Sequence, residues 1–519
     1  MQRYILFFIA IIFCVFIKPV SAQFQNVQVG VPINIYEPEE PSIVINHNNT
    51  NHILVGSNSN NFYYSTDAGL TWQHGFLYSS FGVSGDPCVL VDENSNYYYF
   101  HLVPDMSRVV CQKTGSIGGI WSDGSYTGVN GTKDNDKEWA VIDQDNGNVY
   151  VAWAQFDEHG SFNPLDSSEI QLSRSTDGGL TWSVPLKVSD RKGNAQASNY
   201  SDHAPMPAIG PNHEVYVTWM GPEGLMFDKS TDAGLTWLQN DINVSGSHIN
   251  WLVFNIPGVE IVPGFPIINC DLSSSIYNGN IYICWTDQRS GYNDTDVWLT
   301  KSSDAGLSWS PPIRVNDDGP GRHQFFAWMT IDQTNGYLYF VFYDRRNYTT
   351  LQTDVYMARS TDGGASFTNF QVSENPFTPS SNNYLGHYIG ISAHNNVVRP
   401  VWTRVDNNLP SLWTAIIDSV TTVDEKTNTI VPSEYKLFQN YPNPFNPNTI
   451  IQYSIPEKSL VSIKIFNALG KEVFTLVNEE KSPGYYEVEF DGSGITSGIY
   501  YYQLISGNFN KTKKMTLLK

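Results

Sequence analysis

The octet "STDAGLTW" stands at Ser65–Trp72 and again, letter for letter, at Ser230–Trp237. Close copies read "STDGGLTW" at Ser175–Trp182, "SSDAGLSW" at Ser302–Trp309 and "STDGGASF" at Ser360–Phe367. Asp67, Asp177, Asp232, Asp304 and Asp362 hold the third place in each copy. The copies start 110, 55, 72 and 58 residues apart, so the first gap has room for a skipped repeat. The letters suit a turn. The carboxylate can accept hydrogen bonds from turn amides, the glycine tolerates positive φ, and the closing aromatic ring can pack on a neighbouring strand.

Each octet closes a longer pattern of an apolar strand, a turn, a second strand rich in Tyr, Val and Trp, and a third strand. "EWAVIDQDNGNVYVAWAQFD" at Glu138–Asp157 parallels "AWMTIDQTNGYLYFVFYDRR" at Ala327–Arg346. In both, Asn-Gly joins two β-runs, a strong hairpin signal. First strands recur seven times, near Ser42, Pro87, Trp139, Pro205, Phe265, Phe326 and Tyr388. The second repeat carries "CQKTGSIGGIW" where an octet is expected, and the seventh stops after three strands. The stretch Val29–His47 resembles the strands that follow the octets, so an N-terminal strand is expected to complete the last sheet and close a ring. The expectation is an all-β chain: a seven-bladed β-propeller over residues 24–420, with six blades as the alternative, followed by a small C-terminal β-sandwich.

The octets resemble the Asp box of sialidase-like (BNR-repeat) propellers. The resemblance implies the fold, and it implies that the box is a turn between a blade's third and fourth strands. It does not carry over the sialidase reaction. The first-blade strand reads "EEPSIVINHNN" without arginine, and neither the Arg-Ile-Pro motif nor the arginine triad is found.

After Asp418 a polar stretch, "SVTTVDEKTNTIVPSE", breaks the pattern, and residues 421–431 read as a linker. From Pro432 to Lys519 short alternating runs are separated by Pro, Asn and Gly. The "QNYPNPFNP" opening, "VSIKIFNALGKEV", "SGIYYYQL" and the basic "KKMTLLK" end resemble the type A C-terminal sorting domain of the type IX secretion system. That resemblance implies a partnership with the secretion machinery and delivery through periplasm and outer membrane to the cell surface or the medium. The other end agrees. Residues 1–22 pair a short basic start with the apolar run Tyr4–Ile17 and small residues before Ala22, as in a secretory signal peptide. No transmembrane segment is expected after its removal.

Composition narrows the function further. Net charge is −21, from 51 acidic and 30 basic residues, which argues against nucleic acid as a partner. Cys88, Cys111, Cys270 and Cys284 allow three pairings, between which sequence does not choose. A monomer acting on or binding an extracellular glycan or glycoprotein is expected.

If the octets share a face with the Asn-Gly turns, chemistry belongs on the opposite face. There the residues leading into the first strands meet those leaving the second. The former include Glu40, Asp86, Glu138, Asp202, His203, His323, His387 and Tyr388; the latter include Asp157, Asp287 with Arg289, Asp344 with Arg345 and Arg346, and Arg404 with Asp406. A glycosidase needs two carboxyl groups flanking the scissile bond, one kept protonated. Glu138 is the expected acid/base, with Asp86 or Asp202 as the second carboxylate. His203, His323, His387, Tyr388, Asp287, Arg289, Asp344 and Arg346 are the expected substrate contacts. The Asp-x-Arg pairs also read as ion pairs bracing a blade. A polysaccharide lyase would use His203 or His387 as base with Tyr388, and an arginine or cation against a uronate carboxylate. A non-catalytic binding or adhesion propeller is the competing class. No cofactor motif is present; the histidines and an acid could hold a divalent cation.

Overall fold

The computed structural model describes residues 24–197, 200–245, 256–259, 262–380, 384–418, 435–440, 443–481, 484–507 and 509–518. The expected signal peptide at 1–22 and linker at 421–431 lie outside these residues. Among the described residues every regular element is a strand, and no helix is long and apolar enough to cross a membrane. The chain divides into two compact units, separated in sequence between Ser419 and Val420.

In the first unit seven sheets of four or five strands follow one another along the chain. Their first strands are Ser42–Ile45, Gly85–Val91, Asp134–Ile142, His203–Ile209, Ile267–Cys270, Gln324–Asp332 and Gly390–His394, which number the sheets one to seven. Each first strand packs against the next, and that of sheet seven returns to that of sheet one. The result is a closed β-propeller. Asn26–Gly30 completes sheet seven by pairing antiparallel with Leu409–Ala415, Asn26 opposite Ala415. The ladder starts three residues before the stretch expected from the sequence, and Ile33, Ile35 and Tyr36 lie exposed beyond it.

The inner strands are sandwiched between neighbouring sheets, which explains their unbroken apolar runs. Val149–Phe156 of sheet three, "VYVAWAQF", is buried throughout. Tyr150, Ala152, Ala154 and Phe156 pack with Val215, Val217 and Trp219 of sheet four. Val149, Val151 and Trp153 pack with Cys88, Tyr98 and Phe100 of sheet two. The four cysteines are free, buried thiols.

All five octets form the turn between third and fourth strands, as at Gly224–Ser230 and Ile242–Asn243 around Asp232. There Ser230 Oγ donates to Asp232 Oδ1 at 2.7 Å and accepts from Gly234 N at 2.8 Å. Thr236 donates to the same carboxylate through N at 2.8 Å and through Oγ1 at 2.6 Å. The octets also join sheets. The carbonyl before the second glycine-position residue accepts from a basic side chain of the preceding sheet: Lys113 to Gly178, Arg174 to Ala233, Lys229 to Ala305 and Lys301 to Gly363, at 2.7 to 3.2 Å. In sheet two, which has no octet, Trp121 still packs edge-on against Phe62 of sheet one.

The second unit has a three-stranded sheet built on Asn448–Ile455 and a four-stranded sheet built on Ser459–Asn467. Ile451, Tyr453 and Phe490 of one share a core with Ile463, Tyr502, Leu504 and Met515 of the other. Here burial alternates along the strand, Val461, Ile463 and Ile465 facing inward, because each sheet covers only one face of its neighbour.

Candidate functional site

Five of the first strands carry, within their first four residues or just before them, a left-handed residue that is not glycine. Glu40, Asp86, Lys137, Ala204 and Phe326 have φ between 50° and 54°. In sheets two, three, four and six the ladder slips there, between Gly85 and Cys88, Asp136 and Trp139, His203 and Met206, and Phe325 and Trp328. A bulge of this kind re-aims the side chains beside it. Repeated around the ring, it turns polar groups toward the axis that a regular strand would place against a neighbouring sheet.

The axis itself is plugged. Trp139, Trp328, Phe265 and Tyr388, from sheets three, six, five and seven, meet with ring centroids 4.8 to 6.2 Å apart. Beside this plug lies a buried charge cluster. Lys137 Nζ is paired with Asp86 Oδ1 and stands 3.6 Å from Glu40 Oε2. Glu40 Oε1 accepts from Tyr384 Oη at 2.7 Å and from His387 N at 2.9 Å, and lies 2.8 Å from His387 Nδ1. Burial alone would push Glu40 up, but Lys137 and His387 outweigh it and hold its carboxyl well below the usual range. Burial drives Asp86 well above that range against the opposing Lys137 charge. The bridging ammonium therefore faces one carboxylate and one carboxylic acid.

Glu138 is 1 % exposed, and neither carboxyl oxygen has a hydrogen-bond partner among the described residues. Burial, then Asp86, raises it well above the usual carboxylate range, which favours its protonated form. With Asp86, Lys137 and Tyr388 it lines a cavity of about 10 Å³, room for about one water and none for a sugar. The structure thus brings Glu138, Asp86, His387 and Tyr388 together; Glu138, Tyr388 and Asp86 are buried, and the His387 side chain is 14 % exposed. Asp202 is elsewhere: it accepts from Gly193 N at 3.0 Å and Trp219 Nε1 at 3.1 Å, and burial raises it to about 8. His203 faces Asp136, its Nε2 at 2.8 Å from Oδ2.

The Asp-x-Arg pairs are closed on themselves. Arg289 chelates Asp287 through Nε and Nη2, the latter at 2.6 Å, and its guanidinium lies over the rings of Trp285 and Trp298. Arg346 holds Asp344 through Nε at 2.8 Å and also pairs with Asp317. Arg404 does the same with Asp406.

An open pocket of about 490 Å³ lies between sheets five and six on this face. Arg322 and His323 reach it from the start of the sheet-six first strand, Arg345 and Tyr348–Leu351 from the loop after its second strand, and Asn293 from sheet five. Arg345 is 3 % exposed and has no carboxylate partner among the described residues. Its Nε donates to Thr353 Oγ1 at 3.0 Å and its Nη1 to Pro257 O at 2.8 Å, while Nη2 has no partner among the described residues. Burial lowers its pKa to about 10, which leaves it charged at neutral pH. Burial and the Arg345 charge lower His323 to about 4, so this imidazole is neutral; its Nδ1 lies 3.0 Å from Thr295 Oγ1. Among the described residues no carboxyl group lines the pocket. His323 was legible as a candidate. Arg345 was hidden behind its neighbour Arg346, which carries the more conspicuous Asp-x-Arg spacing.

The BNR/Asp-box repeat family matches residues 63–74, and the secretion system C-terminal sorting domain matches residues 439–517. No curated protein matches the sequence. Similar solved structures include an ulvan lyase of a new polysaccharide lyase family, at 12 % identity over 76 % of this chain and 95 % of its own, TM-score 0.46. A sialidase of Trypanosoma rangeli is 10 % identical over 93 % of this chain and 89 % of its own, TM-score 0.40. An α-L-arabinofuranosidase of Fusarium graminearum is 14 % identical over 62 % and 92 %, TM-score 0.41. The chain is an Asp-box β-propeller protein with a C-terminal sorting domain, exported by type IX secretion to the cell surface or beyond.

Proposed function

We propose that the exported propeller binds an acidic extracellular glycan, with a sugar carboxylate or sulfate held in the pocket between sheets five and six. The observation that carries this reading is Arg345: a buried, charged guanidinium without a counter-ion among the described residues, lining an open pocket beside Arg322. Burying an unpaired charge is costly unless a ligand supplies its partner. In a chain of net charge −21, a pocket whose described lining holds two arginines and no carboxyl group is a local reversal of sign. The pocket volume suits one or two sugar rings.

Hydrolysis is less favoured there, because a glycosidase needs two carboxyl groups at the bond and the described lining residues include none. One observation favours a second reading, β-elimination at a uronate. His323 is neutral and stands with Tyr348 beside the two arginines, so a base and a carboxylate clamp share one pocket.

The test is retention of the mature chain on immobilised polyuronate, sulfated polysaccharide, sialoside and neutral glucan. Arg345→Met and the half-exposed Arg322→Ala are run beside it. Retention on an acidic glycan, weakened at least about tenfold in both variants, supports the proposal. Equal retention on the neutral glucan, or retention untouched by both substitutions, sinks it. New unsaturated ends from polyuronate, lost in His323→Ala, would establish the second reading.

A further inference from the structure

A second constellation on the same face has no part in the glycan pocket. Asp136 closes the regular part of the sheet-three first strand just before its bulge, His159 sits in the loop after the second strand, and His203 opens sheet four. Asp136 Oδ2 lies 2.8 Å from His203 Nε2 and 3.4 Å from His159 Nε2, and all three atoms lie within 4.8 Å of one another. Three segments far apart in sequence thus bring two imidazole nitrogens, both Nε2, onto one carboxylate oxygen.

We infer that Asp136, His159 and His203 form a binding site for one divalent transition-metal ion of the zinc type. The donor set is the first argument: two imidazoles and one carboxylate are ligands that zinc and its neighbours accept. Spacing is the second. Ligands about 2.0–2.1 Å from a metal are about 2.9 Å apart at right angles and about 3.4 Å apart at the tetrahedral angle. The two oxygen–nitrogen separations, 2.8 and 3.4 Å, span that interval.

Rigidity is the third argument. His159 N donates to Asp134 Oδ2 at 2.8 Å, which fixes the loop, and the Phe156 ring packs edge-on against both imidazoles, with centroids at 4.9 and 5.5 Å. Charge agrees as well. The Lys137 ammonium is held directly by Asp86 and Glu40, and among the described residues it makes no direct ion pair with Asp136. Asp136 and His203 are buried, whereas the His159 side chain is 32 % exposed, which gives an ion a way in. Three protein ligands leave at least one coordination position for water or a glycan oxygen. The site rests on these residues alone and stands whether or not the acidic-glycan reading does.

A second cluster joins Asp143 and Asp145, at the Asn-Gly turn of sheet three, to His213, in the first hairpin turn of sheet four, and serves as an internal control. The mature chain is dialysed against chelator and titrated with Zn²⁺ by equilibrium dialysis, and with Co²⁺ by visible absorption. One Zn²⁺ per chain, cobalt bands of a nitrogen–oxygen site, and affinity weakened at least about tenfold in both His159→Ala and the near-isosteric Asp136→Asn are expected. His213→Ala leaves that binding unchanged. Circular dichroism of each variant in chelator checks that it folds; His159 is chosen for its exposure and Asp136→Asn for its preserved shape. Absence of stoichiometric binding overturns the inference. So does binding that survives both site variants, or binding lost in His213→Ala instead.

Discussion

Arg399 of sheet seven donates from Nε to the carbonyl of Ala68, inside the first octet, at 2.8 Å across 331 residues of sequence. Its Nη1 serves Val398 O at 2.9 Å and Ile417 O at 3.0 Å, and Nη2 reaches Asp418 at 2.6 Å. It is the same link that Lys113, Arg174, Lys229 and Lys301 make between neighbouring sheets, here placed where the ring closes.

Replacing Arg399 with Met removes a partner from three carbonyls at once, those of Val398 and Ile417 buried and that of Ala68 partly buried. At about 1–3 kcal/mol for each unsatisfied group, the loss should reach at least about 3 kcal/mol. Chemical denaturation of the propeller measures it. A loss below about 1 kcal/mol would mean that the seam is held by the strand pairing alone.

The octet carboxylates set an acid limit. Hydrogen bonds from Thr236, then Ser230, lower Asp232 to about 2, against about 3.9 in an unfolded chain. The folded value is the lower one, so its stabilisation is present above about pH 4 and disappears as pH falls toward 2. Asp232→Ala should cost about 1–2 kcal/mol at pH 7 and much less at pH 2.5, without altering glycan retention. A variant equally destabilised at both values would refute the turn-staple account.

Asp202 runs in the opposite sense. Burial raises it to about 8, above its unfolded value, so its contribution is complete below about pH 4 and declines as pH rises toward 8. Asp202→Asn keeps an acceptor for Trp219 Nε1 and removes the titration. Between pH 5 and pH 8 the variant should lose less stability than the parent, compared by denaturation midpoints at the two values. Parallel losses would remove Asp202 as the cause.

The Lys137 cluster is predicted to be architectural. Lys137→Met leaves Glu40 and Asp86 without their cation, at a cost of about 3–5 kcal/mol. That cost should shrink at pH 5, where Glu40, no longer held down by the ammonium, can take up a proton. Retention on acidic glycan by the folded variant should match the parent. Loss of retention at full stability would instead place the ligand at the axis.

Strand order and sheet number were legible because octets and Asn-Gly turns recur with the sheets. The orientation of single side chains was not. Glu138 looked like an accessible acid because it precedes an apolar strand, but the left-handed residue at Lys137 turns it under the aromatic plug. Arg345 and Arg346 differ by one position. Only the fold shows that Asp344 captures Arg346 and leaves Arg345 to the pocket. Asp136 and His159 were missed for a related reason: they meet His203 only across a sheet boundary, and no local spacing announces it.

The strand Asn26–Gly30, lodged on Leu409–Ala415, makes the unit a clasped bracelet. A row of repeats with free ends can fray, shedding its terminal member at the cost of one interface. Here every sheet is flanked on both sides, so no sheet can leave without breaking two interfaces together. Fraying has a single starting point, the clasp itself. Release of one five-residue strand converts a protein with no weak end into one with two.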